Sequence, residues 1–270
     1  MKTELNAIVT HRVEVASGLI ILRVAPDGWE LPKWTAGQFA VLGLPYAAPR
    51  AHIADKESGE VDSEKMIRRA YSIASGSGEK AYLEFYITLV HSGALTPRLF
   101  ELRPGNRVHL GKKITGMFTL DKVPAECDLT LVGTGTGLAP YMSMLRSELE
   151  IRPDRHIVVL QGARHSWDLG YRGELTALQR VCPTFHYVPI ISRPKLELVP
   201  WGGETGYVQD LVERGMLEAF LGRKPTPENM HFLLCGNPGM INGMIERLAM
   251  DEFTEHSKKN PGQIHAEKYW

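Results

Sequence analysis

Cysteine is scarce in this chain: 270 residues contain only Cys127, Cys182 and Cys235, far apart and with no CxxC pair. Such spacing holds neither zinc nor an iron–sulfur cluster, so no metal is expected and any redox chemistry has to use another kind of cofactor. Long apolar runs are missing as well; none approaches the roughly 20 residues that span a bilayer. The opening MKTELNAIVT carries acid and amide where a signal peptide is apolar. The expected setting is the cytoplasm, without membrane contact. Nor is there an excess of one charge: 31 basic and 31 acidic residues cancel, so no global field attracts nucleic acid. Internal repeats and low-complexity tracts are absent too, and the composition, 43% apolar and 23% charged, is that of a globular chain able to bury a core.

The pattern of apolar residues changes near the middle. Up to about residue 122 it is short and alternating, in NAIVTHRVEVA, GLIILRVA, QFAVLGL, AYLEFYITLV, NRVHLG and GMFTL, separated by turn signals such as Pro104-Gly105-Asn106. This predicts a closed or sandwiched antiparallel sheet, interrupted by one short helix over 95–102 with Ser92 or Thr96 as cap. Residues 46–68 have no period and read as a mobile surface loop. From 128 onward strands alternate with helices: DLTLV, GTGTGLAP and a helix through YMSMLRSELE; HIVVLQGAR and helix YRGELTALQRV; FHYVPIISR and helix VQDLVERGMLEAFL; then MHFLLCG as the last core strand, with a helix whose Ile241, Met244, Ile245 and Leu248 share one face. Val- and Ile-rich strands alternating with amphipathic helices predict a parallel sheet covered on both faces. The expected domains are 1–122 and 123–270.

Chemistry is expected at the carboxyl ends of the parallel strands, where glycines let the backbone approach phosphates. GTGTGLAP (133–140) occupies that place, with a helix start for anionic charge; it is neither GxGxxG nor a P-loop, since no GK[ST] follows. CGNPGM (235–240) ends a strand at the same edge, although a lone thiol such as Cys235 more often packs a core. Arg164 follows one strand, and Ser192 with Arg193 the next. Each arginine alone reads as surface cover, but two at successive strand ends suit a 2′-phosphate, favouring NADP over NAD. GALTPRLF (93–100) offers either a second anion site, of the kind a dinucleotide pyrophosphate uses, or an ordinary capped helix. RRAYSIAS (68–75) puts a cation, an aromatic face and a hydroxyl within four residues, which in isolation is an amphipathic strand.

Taken together, RAYSIAS, LEFYITLVHSGALTPRL, GKKITGMF, GTGTGLAPYMS, ISR, CGNPGM and the terminal AEKYW resemble, in order and spacing, the ferredoxin–NADP reductase family, and more closely its bacterial flavodoxin/ferredoxin–NADP reductases. The resemblance implies a six-stranded antiparallel β-barrel that binds FAD, followed by a parallel α/β domain that binds NADP(H). It implies FAD contacts from Arg69 (pyrophosphate), Ala70, Tyr71 (stacked on the flavin) and Ser72 (near flavin N5). Further FAD contacts implied are Phe85, Tyr86 and Ile87 through their backbones; Ala94, Leu95 and Thr96 at the pyrophosphate; Thr136 at the junction with nicotinamide; and the terminal Tyr269 and Trp270. Tyr71, Ser72, Cys235 and Tyr269 would surround the reacting atoms. Arg164, Ser192, Arg193, Tyr207, Gly236 and Asn237 would hold NADP.

The implied activity is hydride exchange between NADP(H) and FAD and single-electron exchange with ferredoxin or flavodoxin, by a monomer. Arg50, Lys65, Arg68, Lys112 and Lys113 are candidate docking charges for such acidic partners. One departure is Gly206-Tyr207, where many bacterial relatives have a glycine–arginine pair; tyrosine there resembles the plastid-type pattern. WGGETGYV is similar to cytochrome b5 reductase-like relatives. The alternatives are thus an NAD(P)H-dependent reductase component of an oxygenase or a b5 reductase-like enzyme, and a non-catalytic flavin-binding electron-transfer subunit.

Overall fold

A computed structural model of the chain describes residues 5–57, 62–148 and 155–268. Its described residues form two compact units, one from Met1–Thr119 with Ala139–Glu148, the other from Leu120–Leu138 with Leu149–Trp270.

The first unit carries strands β1 (Ala7–Ala16), β2 (Leu19–Pro26), β3 (Phe39–Pro45), β4 (Met66–Ser72) and β5 (Leu83–Thr88), helix α1 (Thr96–Glu101) and strand β6 (Arg107–Leu110). They make one six-stranded sheet in the order β4-β3-β6-β1-β2-β5, with every pair antiparallel. Its two outer strands meet where Ile73 bridges Phe85 and the Ala74 N–H donates to the Glu84 carbonyl at 2.8 Å. Alternation decides which residues point inward: Val9, Ile20, Leu22, Val24, Leu42, Leu44, Val108 and Leu110 fill one core with Phe85 and Leu99.

Three expectations change here. GMFTL is not a strand: Gly116 turns at φ 142°, and only Thr115 pairs, with Phe39. The sixth strand is instead the RAYS segment. Residues 66–68 of the expected loop belong to β4. Neither Ser92 nor Thr96 caps α1, whose N-cap position is Leu95; the Thr96 hydroxyl accepts from the Val90 N–H at 3.0 Å and so ties down the preceding turn.

The second unit begins with β7 (Asp128–Thr134). After it the chain forms α2 (Ala139–Glu148), grouped with the first unit, where Arg146 reaches Glu84. Then follow β8 (Ile157–Ala163), α3 (Arg172–Val181), β9 (Phe185–Ile191), β10 (Glu204–Thr205), α4 (Val208–Glu213), α5 (Met216–Leu221), β11 (Met230–Gly236), α6 (Pro238–Ala249) and β12 (Ile264–Lys268). The sheet order is β10-β9-β8-β7-β11-β12, parallel throughout. Its central strands are buried almost continuously, as strands covered on both faces must be. Ile241, Met244 and Leu248 of α6 pack on Phe232 and Leu234.

Two expectations are corrected in this unit. VQDLVERGMLEAFL is two helices, because Gly215 adopts φ 71° and breaks the run. MHFLLCG is not the last strand: β12 pairs in parallel beyond it, from Phe232↔Ile264 to Gly236↔Lys268.

Candidate functional site

In the first unit the candidate residues lie along the outer strand β4. A half-buried strand should alternate, yet Arg68, Arg69 and Ala70 are all exposed in succession. Arg69 stands opposite Leu42, Tyr71 opposite Ala40 and Ser72 opposite Phe39. The Arg69 guanidinium donates to the carbonyl of Arg68 at 2.7 Å and otherwise presents its charge outward. Tyr71 meets the Phe85 ring edge-on, centroids 6.5 Å apart, and burial pushes its phenol well above the ordinary range, so it stays neutral. Ser72 is buried beside it on the strand, while Phe85, Tyr86 and Ile87 are buried on β5.

The turn that carries Ala94, Leu95 and Thr96 is held from beneath by Arg98. This guanidinium is only 3% exposed, and all five of its N–H donors are used. Nε and Nη2 donate to the Tyr46 carbonyl at 3.2 and 2.6 Å, Nη1 to the Ala94 carbonyl at 2.7 Å, and the two terminal nitrogens to the Glu57 carboxylate at 2.9 and 2.7 Å. Arg50 also donates to Glu57 and, at 3.0 Å, to the Gly93 carbonyl. Arg50 is therefore engaged inside the unit and not held out as a docking charge. Hydrogen bonding by Arg98 holds the Glu57 carboxyl below its usual range.

In the second unit GTGTGLAP and CGNPGM are joined backbone to backbone at the carboxyl edge of the sheet. A Cβ on Gly137 would sit 2.1 Å from the Cys235 carbonyl oxygen and 2.8 Å from the Gly236 nitrogen. Gly236 has φ 130°, and a Cβ there would lie 2.5 Å from the Thr134 hydroxyl. Only glycine permits this approach. The Thr134 hydroxyl accepts from the Asn237 N–H at 3.0 Å. The Asn237 carboxamide accepts from Gly239 and Met240 and caps α6, so its side chain serves the helix. Thr136 lies in the 3-10 turn Gly135–Leu138 between them.

Cys235 is fully buried, paired along the sheet with Gly133 on one side and Glu267 on the other, its Sγ 4.0 Å from the Glu267 carboxylate. Glu267 was missed in the sequence, because nothing in IHAEK marks it before β12 is known to pair with β11. The loops after β8 and β9 are stitched together: the Ser192 N–H donates to the Ala163 carbonyl and the Arg193 N–H to the Arg164 carbonyl, both at 3.0 Å. The pairing sets Arg164 and Arg193 side by side, exposed and without a side-chain partner among the described residues. Tyr207, 68% exposed at the start of α4, holds its ring in solvent. Tyr269 and Trp270 lie outside the described residues. A cleft of about 940 Å³ beside β9, walled by Trp167, Tyr187, Trp201 and Phe220, had no signal in the sequence.

Comparisons with known proteins show what the chain is similar to. The pattern of the family described as oxidoreductase NAD-binding domain matches residues 131–246. The flavodoxin/ferredoxin–NADP reductase of Buchnera aphidicola subsp. Baizongia pistaciae is 33% identical over 242 residues, 89% of each chain. That of Escherichia coli is 34% identical over 239 residues, 88% of each. A ferredoxin NADP+ reductase from Neisseria gonorrhoeae, solved with bound FAD and NADP, shares the fold with a TM-score of 0.81 over 98% of both chains at 24% identity. With the glycine turns, the RAYS strand and whole-length identity to such relatives in view, the chain belongs to the flavodoxin/ferredoxin–NADP reductase family.

Proposed function

We propose that this protein is an FAD-dependent oxidoreductase that exchanges hydride with NADP(H) and single electrons with ferredoxin or flavodoxin. The observation that carries the reading is the platform formed by Gly137 and Gly236, set at the same sheet edge as the paired loops of Arg164 and Arg193. A dinucleotide needs both features, a backbone close enough to receive its pyrophosphate and cations for its outer phosphate.

The residues of the first unit fit a flavin dinucleotide. Arg69 offers an outward cation for the pyrophosphate, Tyr71 a neutral ring for the flavin face, and Ser72 a hydroxyl for the reacting nitrogen. Bound FAD would supply what no side chain here can, taking two electrons together and passing them on singly. The backbones of Phe85, Tyr86 and Ile87 line the flavin, and the turn of Ala94, Leu95 and Thr96 carries the phosphates. Thr136 and Cys235 border the nicotinamide, with Glu267 beside the thiol. Ser192 joins Arg164 and Arg193 at the 2′-phosphate, Tyr207 packs on the adenine, and Gly236 and Asn237 shape the floor. Tyr269 and Trp270, outside the described residues, are further candidates for the flavin by family resemblance alone.

No helix among the described residues is long and apolar enough to cross a membrane. The reading places the enzyme in the cytoplasm as a monomer, which sedimentation at several concentrations tests. Lys65, Arg68, Lys112 and Lys113 are candidate docking charges for an acidic protein acceptor, so turnover with that acceptor should fall with salt while dye reduction does not.

The deciding experiment is anaerobic titration of the purified protein with NADPH and, separately, NADH. Bleaching of a yellow protein by far less NADPH than NADH is the expected result. Equal response would favour the b5 reductase-like alternative, which the WGGETGYV stretch also resembles. A colourless protein that cannot be reconstituted with FAD would overturn the flavin assignment.

A further inference from the structure

We infer that the Arg50–Glu57–Arg98 cluster is a positioning clamp for the adenosine half of FAD, and that it makes the protein select FAD over FMN. The inference rests on the FAD reading above and adds to it a role for residues far from the flavin ring.

The cluster joins two segments distant in sequence. Arg98 on α1 binds Glu57 with both terminal nitrogens and also holds the Tyr46 and Ala94 carbonyls. Arg50 binds Glu57, the Gly93 carbonyl at 3.0 Å and the Asp55 carbonyl at 2.7 Å. Backbone contacts complete the seam: the Asp55 N–H donates to the His91 carbonyl at 3.1 Å and the Ala51 N–H to the Pro97 carbonyl at 3.0 Å, while His91 Nδ1 lies 2.8 Å from the Ile53 carbonyl. Residues 46–57 are thereby fastened along the turn of 91–96, which is the turn assigned to the pyrophosphate.

The arrangement points to a ligand-positioning device and not merely to a stable loop. A surface loop can be anchored by apolar contacts or by water; here a guanidinium has been taken out of solvent and given every bond it can make, on both walls at once. Bidentate pairing with a carboxylate also fixes the angle between the two walls, which a single contact would not. Were FAD bound with its pyrophosphate on that turn, residues 46–57 would be the nearest surface for the half beyond the pyrophosphate, a half that FMN, which ends at its phosphate, lacks. Ordering this wall before binding removes a cost that FAD alone would otherwise bear.

The test compares flavins on the full chain after removal of bound cofactor. Dissociation constants for FAD and FMN are measured by flavin fluorescence for the wild type, Glu57→Gln and Arg98→Lys, with apoprotein melting recorded alongside. Expected is a loss of about tenfold in FAD affinity for Glu57→Gln, with FMN affinity unchanged. If Arg98→Lys fails to fold, Glu57→Gln decides alone, because Glu57 is partly exposed and keeps its shape as glutamine. Unchanged FAD affinity in Glu57→Gln would overturn the clamp, as would an equal loss for both flavins, which is what a merely structural role gives. A wild type that binds FMN as tightly as FAD would overturn it while leaving a flavin site in place. A wild type that binds neither flavin would remove the FAD reading itself.

Discussion

The two units hold their candidate site segments together by different means. In the first, distant segments are drawn together by ion pairs with one buried partner: Glu57, partly exposed, between buried Arg98 and Arg50, and Glu84, 2% exposed, between Arg23 and Arg146 at 2.7 Å each. In the second, the glycine turns meet through bare backbone, at distances that leave no room for a methyl group. One junction depends on charge, the other on the absence of a side chain. A charge-built junction can be loosened by a near-isosteric substitution, whereas a backbone-built junction should tolerate no substitution but remain indifferent to salt.

The sharpest way to break the comparison is Gly137→Ala. The atoms in the way are carbonyl and amide atoms of Cys235 and Gly236, which cannot swing aside. The expected cost is about 3 kcal/mol or more in denaturant unfolding, with NADPH binding lost; a variant of unchanged midpoint would show that the two turns are not rigidly joined. Next in size is Glu84→Ala, which strands two arginines. Because Arg23 and Arg146 are partly exposed and can recover water, about 2–3 kcal/mol is expected, at the lower end for a broken buried pair.

A third effect depends on acidity and centres on a histidine cluster of the second unit. His265 on β12 hydrogen-bonds His231 on β11 at 3.1 Å and stacks near His256. Burial first, and then His256, His231 and Lys122, hold His265 down to about 4 from an ordinary 6.5. A depressed histidine is neutral when folded, so the unfolded chain takes up more protons below 6.5. Stability is therefore complete above that value and falls as pH drops toward 4, by at most about 1.4 kcal/mol per pH unit. Melting curves between pH 7.5 and 4.5 should show this decline, and His265→Asn should lessen it, the part that stays coming from His231 and His186, which burial also lowers; a decline of the same slope in the variant would assign it elsewhere. The smallest effect on stability is expected from Arg164→Ala and Arg193→Ala, within about 0.5 kcal/mol. Their effect lies in discrimination, a loss of about 10–100-fold in NADPH preference with NADH turnover unchanged.

What the sequence disclosed followed its periodicities. Alternation in NAIVTHRVEVA and GLIILRVA announced β1 and β2, and the i, i+3, i+7 spacing of Ile241, Met244 and Leu248 announced α6. GMFTL also alternates, but positive φ at Gly116 is a backbone property that alternation does not encode. β12 was overlooked because it is short, contains Glu267 and Lys268, and is a strand only through β11. Among the candidate site residues, Arg69, Tyr71, Ser72, Gly137 and Gly236 stand in dense local motifs that a short window of sequence contains. Glu57 with Arg98, 41 residues apart, and Cys235 with Glu267, 32 apart, are pairs that topology creates and no local window contains.

Helix α2 has a consequence for how the protein is made. Met1–Thr119 needs Ala139–Glu148 to complete its unit, and Arg146 supplies one of the two cations on buried Glu84. As the chain leaves the ribosome, Ala139–Glu148 follows the strands of the first unit by way of β7 and the glycine turn. A nascent chain stopped at residue 119 lacks the Arg146 contact to Glu84, so the first unit is expected to reach its full stability only once the start of the second has been synthesised.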